Sequence, residues 1–406
     1  MYGIVSGGIR DSGPALFLYT VAPGDLSHWD YLGPLVHFTE GSYRPTCWTG
    51  NYGVNWECGN FLTLGDGADE RQFVLVGSDG GIKTKPDTPL DAPSPSPYGS
   101  WLLWMSGELT KTKDGPRLVP DVFGLLDHGL FYAASSSEHP ITKQRIVWGW
   151  LKEDTLALDR REAKGWAGFQ ALPRELFLLR LTNVTEALKT PLDDIDSLIV
   201  KPNAGSTQTK TVYTLGVRPL PGLEGLRRGD PTCWGKLTHN HNYNTGSTAS
   251  STIRLLATCR SPSYELEAII RVVPCPTETG HQRVSFHLRH NGNLSRRVTV
   301  YFDVQAEIIV LDRSQTNDET GMPHDELAGP FTLFRQTTGW ETLRLRIFSD
   351  GDTIEVFIND RFTLSSVAYL DAAFTGINSF VEGEGVGNSI VFKRIRIWGD
   401  ITSCLA

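Results

Sequence analysis

The segment Asn55-Trp56-Glu57-Cys58-Gly59-Asn60-Phe61 holds the carboxylate whose neighbours best suggest proton-transfer chemistry. Glu57 stands between an aromatic ring and a thiol, and the apolar residues Phe61, Leu62 and Leu64 follow. Such flanks keep water from a carboxyl group, which penalises its charged form and raises its pKa. A general acid that protonates a glycosidic oxygen near neutral or mildly acidic pH needs that shift. On spacing alone, an idle glutamate exposed at a strand end explains the same letters and is the stronger reading.

Other familiar catalytic arrangements are missing. The sequence has no GxSxG elbow, no HExxH and no P-loop. Its cysteines, Cys47, Cys58, Cys233, Cys259, Cys275 and Cys404, include no CxxC pair, so zinc-ribbon spacing is absent. In a chain this long they do not amount to a disulfide framework, although one or two bridges would suit an exported protein. His239, Asn240 and His241 read as a solvated polar loop rather than a metal site. Arg228-Gly229-Asp230 matches an adhesion tripeptide, but chance occurrence is the stronger reading. No metal and no organic cofactor is expected.

The chain has 406 residues, and at roughly 150 residues per domain that suggests two or three domains. Lys and Arg number 38 against 46 Asp and Glu, a formal charge of −8 that argues against a nucleic-acid or anionic-membrane surface. With 40% hydrophobic and 21% charged residues the chain can build full cores. No apolar run approaches the ~20 residues of a membrane span. The opening Met1–Gly13 lacks the basic and apolar regions of a signal peptide. Two sequons, Asn183-Val184-Thr185 and Asn293-Leu294-Ser295, are weakly consistent with secretion.

The elements that must position Glu57 are strands. Val284, Phe286 and Leu288 alternate with polar residues, as do Val298, Val300 and Phe302 after an Asn-Gly-Asn turn. Leu343, Leu345 and Ile347 pair by the same logic with Ile354, Val356 and Ile358 across Ser349-Asp350-Gly351-Asp352. Period-two alternation buries one face and wets the other, so residues 259–406 read as an antiparallel β-sandwich. In residues 1–185, strands such as Phe73–Val76, Trp101–Met105 and Ile146–Trp150 are separated by Gly- and Pro-rich loops, including Asp87–Tyr98. Short sheets joined by long loops fit a β-propeller. Only Glu153–Lys164 reads as a helix, and residues 186–258 read as a connector with some strand content.

Trp56-Glu57-Cys58 resembles the acid/base motif of glycoside hydrolase family 32, the invertase, inulinase and fructosyltransferase group. Further blocks agree in order: Leu18-Tyr19 with Asp25-Leu26 and Trp29, Asp127-His128-Gly129 with Phe131-Tyr132-Ala133, Arg145–Trp150, and Leu172–Leu176. Leu311–Ser314 and Ile354–Asn359 resemble the family's sandwich strands, and Gly53–Glu57 looks most like its fungal members. The resemblance implies a five-bladed propeller followed by a β-sandwich. It also implies cleavage of β-fructofuranosidic bonds in sucrose, inulin or levan with retention of configuration. In that chemistry an Asp of an Asn-Asp-Pro motif attacks the anomeric carbon, an Asp of Arg-Asp-Pro holds sugar hydroxyls, and the Glu is acid and then base. Glu57 matches the last role, with Cys58 as its tuning neighbour. Tyr132 and Trp150 become candidate sugar contacts, and so does Asp127, although a turn-capping carboxylate suits Asp127 better. Trp56, on the opposite strand face, should be core.

The sequence departs from the family pattern at two places. It contains neither Asn-Asp-Pro nor Arg-Asp-Pro. Arg10-Asp11 is a substitute for the second, with a loop ion pair as its alternative, but Ser12-Gly13-Pro14 follows it. The expectation is therefore an incomplete propeller, with the first blade and nucleophile outside this chain and a secreted full-length parent. Fructosyl transfer is an alternative activity. A non-catalytic carbohydrate-binding protein, or decayed paralogue, is an alternative of another class.

Overall fold

A computed structural model describes residues 1–39, 45–80, 99–113, 115–205, 208–234, 237–238, 251–274, 282–383 and 390–401. The proline-rich run Asp87–Tyr98 and the His239–His241 cluster lie outside the described residues. The chain is all-β, a propeller followed by a sandwich. A three-stranded sheet comprises β1 (Tyr2–Ile9), β2 (Gly13–Thr20) and β3 (Asp30–His37). A four-stranded sheet follows with β4 (Asn55–Leu64), β5 (Arg71–Asp79), β6 (Ser100–Thr112) and β7 (Gly115–Leu125). These two sheets stack as blades, β1 beside β4 and β3 beside β7. Between them lies a core of Leu16, Leu18, Val36, Phe38, Trp56, Val74 and Val76, the apolar halves of alternating strands.

The next sheet contains β8 (Phe131–Glu138), β9 (Arg145–Leu151), β10 (Phe169–Gln170), β11 (Arg174–Ala187), β12 (Ile199–Pro202) and β13 (Lys210–Pro219). The supposed connector is therefore divided. Its strands β12 and β13 belong to this sheet, because β13 lies hydrogen-bonded between β11 and β12. The strand Ser251–Thr258 already belongs to the sandwich, paired with Gly376–Gly383. The helix is shorter than its sequence suggested. Only α1 (Leu158–Lys164) forms, stopped by Gly165 in the left-handed conformation at φ 82°.

A six- and a seven-stranded sheet form the sandwich. Both expected hairpins are present, with Val284 opposite Phe302 and Asp350 opposite Thr353. The sandwich is stitched to the propeller along residues 127–130. His128 N–H donates to Thr363 O at 2.9 Å, and Leu130 N–H donates to Ser365 O at 2.8 Å. Gly129 is required there, because a Cβ at that position would lie 1.9 Å from Ser365 O. Arg174, wholly buried, pairs with Asp127 at 2.9 Å and crosses the seam to Glu355 at 3.0 Å.

Candidate active site

Glu57 sits near the start of β4, where the regular ladder breaks. Glu57 pairs with Gly77, but the next register pair is Asn60 with Leu75, so Cys58 and Gly59 bulge out. Cys58 adopts φ 47°, a left-handed conformation that a non-glycine residue holds only when its surroundings enforce it. Here the enforcement is visible. Gly59 N–H donates to Ser6 Oγ of β1 at 2.7 Å. Asn60 Nδ2 donates to Cys58 O at 2.8 Å and to Ala134 O of β8 at 2.9 Å, while its Oδ1 accepts from Ser136 N–H at 2.8 Å.

Strand β8 carries a matching irregularity. Its register against β9 shifts between Tyr132 and Ser135, and Ala133 has φ 50°. The two bulges face one another across Asn60 and turn Glu57 and Tyr132 together, so that the Tyr132 hydroxyl donates to Glu57 Oε2 at 2.9 Å. Gly77 makes room for this approach. A Cβ there would lie 2.9 Å from the Tyr132 hydroxyl oxygen and 3.0 Å from its Cζ.

Trp56 is 1% exposed and packs edge-on against Phe38, as strand alternation requires. Glu57 is on the other side and exposed, as is Cys58. The expected desolvation of Glu57 by its sequence neighbours is therefore corrected. The indole points away, the bulge turns the thiol outward, and the polar contact comes from Tyr132, distant in sequence. Burial, seconded by the Glu57 charge, pushes the Cys58 thiol up. Cys47, Cys58 and Cys259 are free thiols.

The remaining candidates separate. Trp150 lies directly across from Tyr132 in the β8–β9 ladder, so both project from one sheet face, and the indole is 38% exposed. Arg10 and Asp11 form the exposed turn between β1 and β2, with Asp11 at φ 59°. That turn lies toward the Glu57 end of β4, because nearby Gly8 packs against Val54 O and Asn55 Oδ1. Asp127 is corrected. Its side chain is fully buried in the propeller–sandwich seam, and both oxygens are committed to Arg174, Ser365 and Gly129. No lone pair faces a sugar. Arg174 and these hydrogen bonds hold its carboxyl below the usual range against the opposing effect of burial, which is the largest single influence.

Sequence reasoning missed Lys152, Ser100 and Asp79. Lys152 is 3% exposed and its ammonium lies 4.9 Å from the Tyr132 ring centroid. It donates to Ser100 O at 2.9 Å and to Ser100 Oγ, and Asp154 Oδ2 lies 4.0 Å away. Burial pulls its pKa down, while Asp154 and Asp79 pull it up. Extending the β9 alternation two residues beyond Trp150 would have flagged it. The Tyr132 phenol is strongly raised, by burial first and then by Glu57, so it remains a donor. Among the described residues, no three His, Cys, Asp or Glu side chains gather to hold a metal ion.

Comparisons with known proteins agree with this fold. Residues 2–191 match the model "Glycosyl hydrolases family 32 N-terminal domain", and residues 227–399 match "Glycosyl hydrolases family 32 C terminal". A rice β-fructofuranosidase, insoluble isoenzyme 3 (Oryza sativa subsp. indica), is 42% identical over 93 residues, 21% of this chain and 15% of that protein. Bacillus subtilis levanase is 24% identical over 362 residues, 86% of this chain and 44% of that protein. The solved fructosyltransferase from A. japonicus superposes with TM-score 0.80 at 24% identity, covering 98% of this chain and 65% of that one. A β-fructofuranosidase from Aspergillus kawachii gives TM-score 0.81 at 24% identity, covering 98% and 67%. The chain thus spans a small fraction to about two thirds of the relatives it matches.

Proposed function

The chain belongs to glycoside hydrolase family 32, and from that premise we propose that Glu57 is the acid/base of a β-fructofuranosidase-type active site acting on sucrose, inulin or levan. The observation that carries this reading is the Tyr132 bond to Glu57 Oε2. It leaves Oε1 of an exposed carboxyl as the oxygen that can carry and deliver a proton. Oε1 would protonate the leaving oxygen as the fructosyl bond breaks, and the resulting carboxylate would then deprotonate the incoming water.

The reaction is proposed to retain configuration. Its nucleophile would come from an Asn-Asp-Pro segment, which these 406 residues do not contain. Asp11, at the Glu57 end of the neighbouring blade, is the nearest candidate for holding sugar hydroxyls, with Trp150 a candidate stacking surface. Export is proposed as well, and the exposed sequon residues Asn183 and Asn293 fit it.

Two measurements test the reading together. Incubated alone with sucrose or inulin, this chain should release almost no fructose. With an upstream Asn-Asp-Pro segment supplied, release should appear, and Glu57→Gln should lower it by about 10²–10⁴-fold without altering the fold. Robust release by the chain alone would point to an internal nucleophile, Asp11 or Asp79 first. Unchanged turnover in Glu57→Gln would remove Glu57 from its role.

A further inference from the structure

Glu57 is exposed, and an exposed carboxyl rotates freely unless something fixes it. The hydroxyl of Tyr132 does so at Oε2, which raises the question of what fixes Tyr132. Two neighbours meet its ring. Gly77 lies against the hydroxyl end, where the missing Cβ leaves the room it occupies. Near the ring is the Lys152 ammonium, 4.9 Å from the centroid, within the range at which a desolvated cation is attracted to the face of an aromatic ring.

The ammonium is itself anchored. Two of its three N–H groups have Ser100 acceptors, the carbonyl and the hydroxyl, at the start of β6. Asp154 lies at 4.0 Å, and Asp79, at the end of β5, also acts on both Lys152 and Tyr132. The cation is thus held by groups from the β4–β7 blade and from the segment after β9, and it has little contact with water.

We propose that Lys152 is a positioning residue for the proton donor. Its ammonium fixes the Tyr132 ring so that the hydroxyl keeps Oε2 of Glu57 and leaves Oε1 for the scissile oxygen. A cation at the ring face also draws electron density from the phenol and so strengthens the O–H as a donor to a carboxylate. Lys152 does not touch substrate in this arrangement; it acts through Tyr132. The inference rests on the acid/base role proposed above for Glu57.

The test is spectroscopic and independent of turnover. The 406-residue chain is prepared with ¹³Cζ-labelled tyrosine, and the Tyr132 resonance is assigned by its loss in Tyr132→Phe. Glu57→Ala defines where that resonance lies when the hydrogen bond is gone. Lys152→Met, which keeps length and removes charge, should move the signal toward the Glu57→Ala position, and Lys152→Arg should restore most of the shift. Ser100→Ala, which loosens the ammonium without removing it, should move the signal the same way but less, and it decides the matter if Lys152→Met does not fold. A Tyr132 signal unmoved by Lys152→Met overturns the proposal, as does an equal shift in the Met and Arg variants, which would indicate packing alone. If the resonance moves as expected but turnover of the completed enzyme ignores Glu57→Gln, the contact stands and the donor role falls.

Discussion

Replacing Arg174 with Met would break the junction between propeller and sandwich at its most buried point. Arg174 Nη1 donates to Asp127 Oδ2 at 2.9 Å and Thr363 Oγ1 at 3.2 Å, while Nη2 donates to Glu355 Oε2 at 3.0 Å and Ser365 Oγ at 2.7 Å. Its guanidinium carbon also lies 3.7 Å from the Phe131 ring centroid. Without the arginine two buried carboxylates lose their counter-charge. Asp127 keeps donors from Gly129 and Ser365, but Glu355 keeps only Leu172 N–H at 2.8 Å and a long Ser365 contact at 3.4 Å. Breaking a buried pair from one side costs about 3–5 kcal/mol. With an unfolding entropy of about 2.1 cal/mol/K per residue, a chain of this length shifts by roughly 1.2 °C per kcal/mol, so the thermal midpoint should fall by on the order of 4–6 °C, read by calorimetry or by dichroism.

The pH dependence supplies a sharper check. Burial raises Glu355 even beside Arg174. In Arg174→Met, burial acts on both carboxyls without that opposing charge, so their folded pKa values should exceed the unfolded ones. Such groups bind protons more readily when folded, so their own contribution to the variant's stability should rise as pH falls. The deficit relative to wild type should be largest near pH 7 to 8 and narrow toward pH 5. Adding Asp127→Asn and Glu355→Gln should recover most of the loss at pH 7. A deficit under about 1 kcal/mol, or one constant across that range, would refute the charge argument.

Tyr132→Phe should leave Glu57 Oε2 without its donor and cost about 1.5–3 kcal/mol of carboxylate positioning, seen as a roughly ten- to hundredfold drop in turnover of the completed enzyme. Gly129→Ala should destabilise the chain by at least about 1–3 kcal/mol in a denaturant titration, because its Cβ would overlap Ser365 O. His128 and His287 are each pushed down to about 4, chiefly by burial. The folded state holds these rings neutral, so stability should be full above about pH 6.5 and fall as pH drops toward 4. His287→Gln should flatten part of that slope, measured as midpoint against pH.

Much of the fold was legible because its signals are local. Alternation through Val284–Leu288 and Val298–Phe302 reports which face is buried whatever the partner strand. Residues 186–258 were harder: β13 is recognisable as a strand, but whether it joins β11 or the sandwich depends on long-range pairing. Glu57 stood out by composition, and Trp56 as core followed from alternation. Sequence neighbours do not desolvate Glu57, because alternation turns Trp56 into the core and the bulge displaces Cys58.

By itself the sequence determined an all-β chain of family 32 type, a carboxylate at position 57 and the lack of an Asn-Asp-Pro segment. The tertiary structure decided which groups meet that carboxylate. Tyr132 lies 75 residues away from Glu57 in the chain, and its meeting with Glu57 depends on paired bulges in β4 and β8, on Asn60 between them and on the gap at Gly77. It also decided that Asp127 serves the domain seam rather than the sugar. Both outcomes rest on contacts between distant strands, and no local pattern of residue types encodes those.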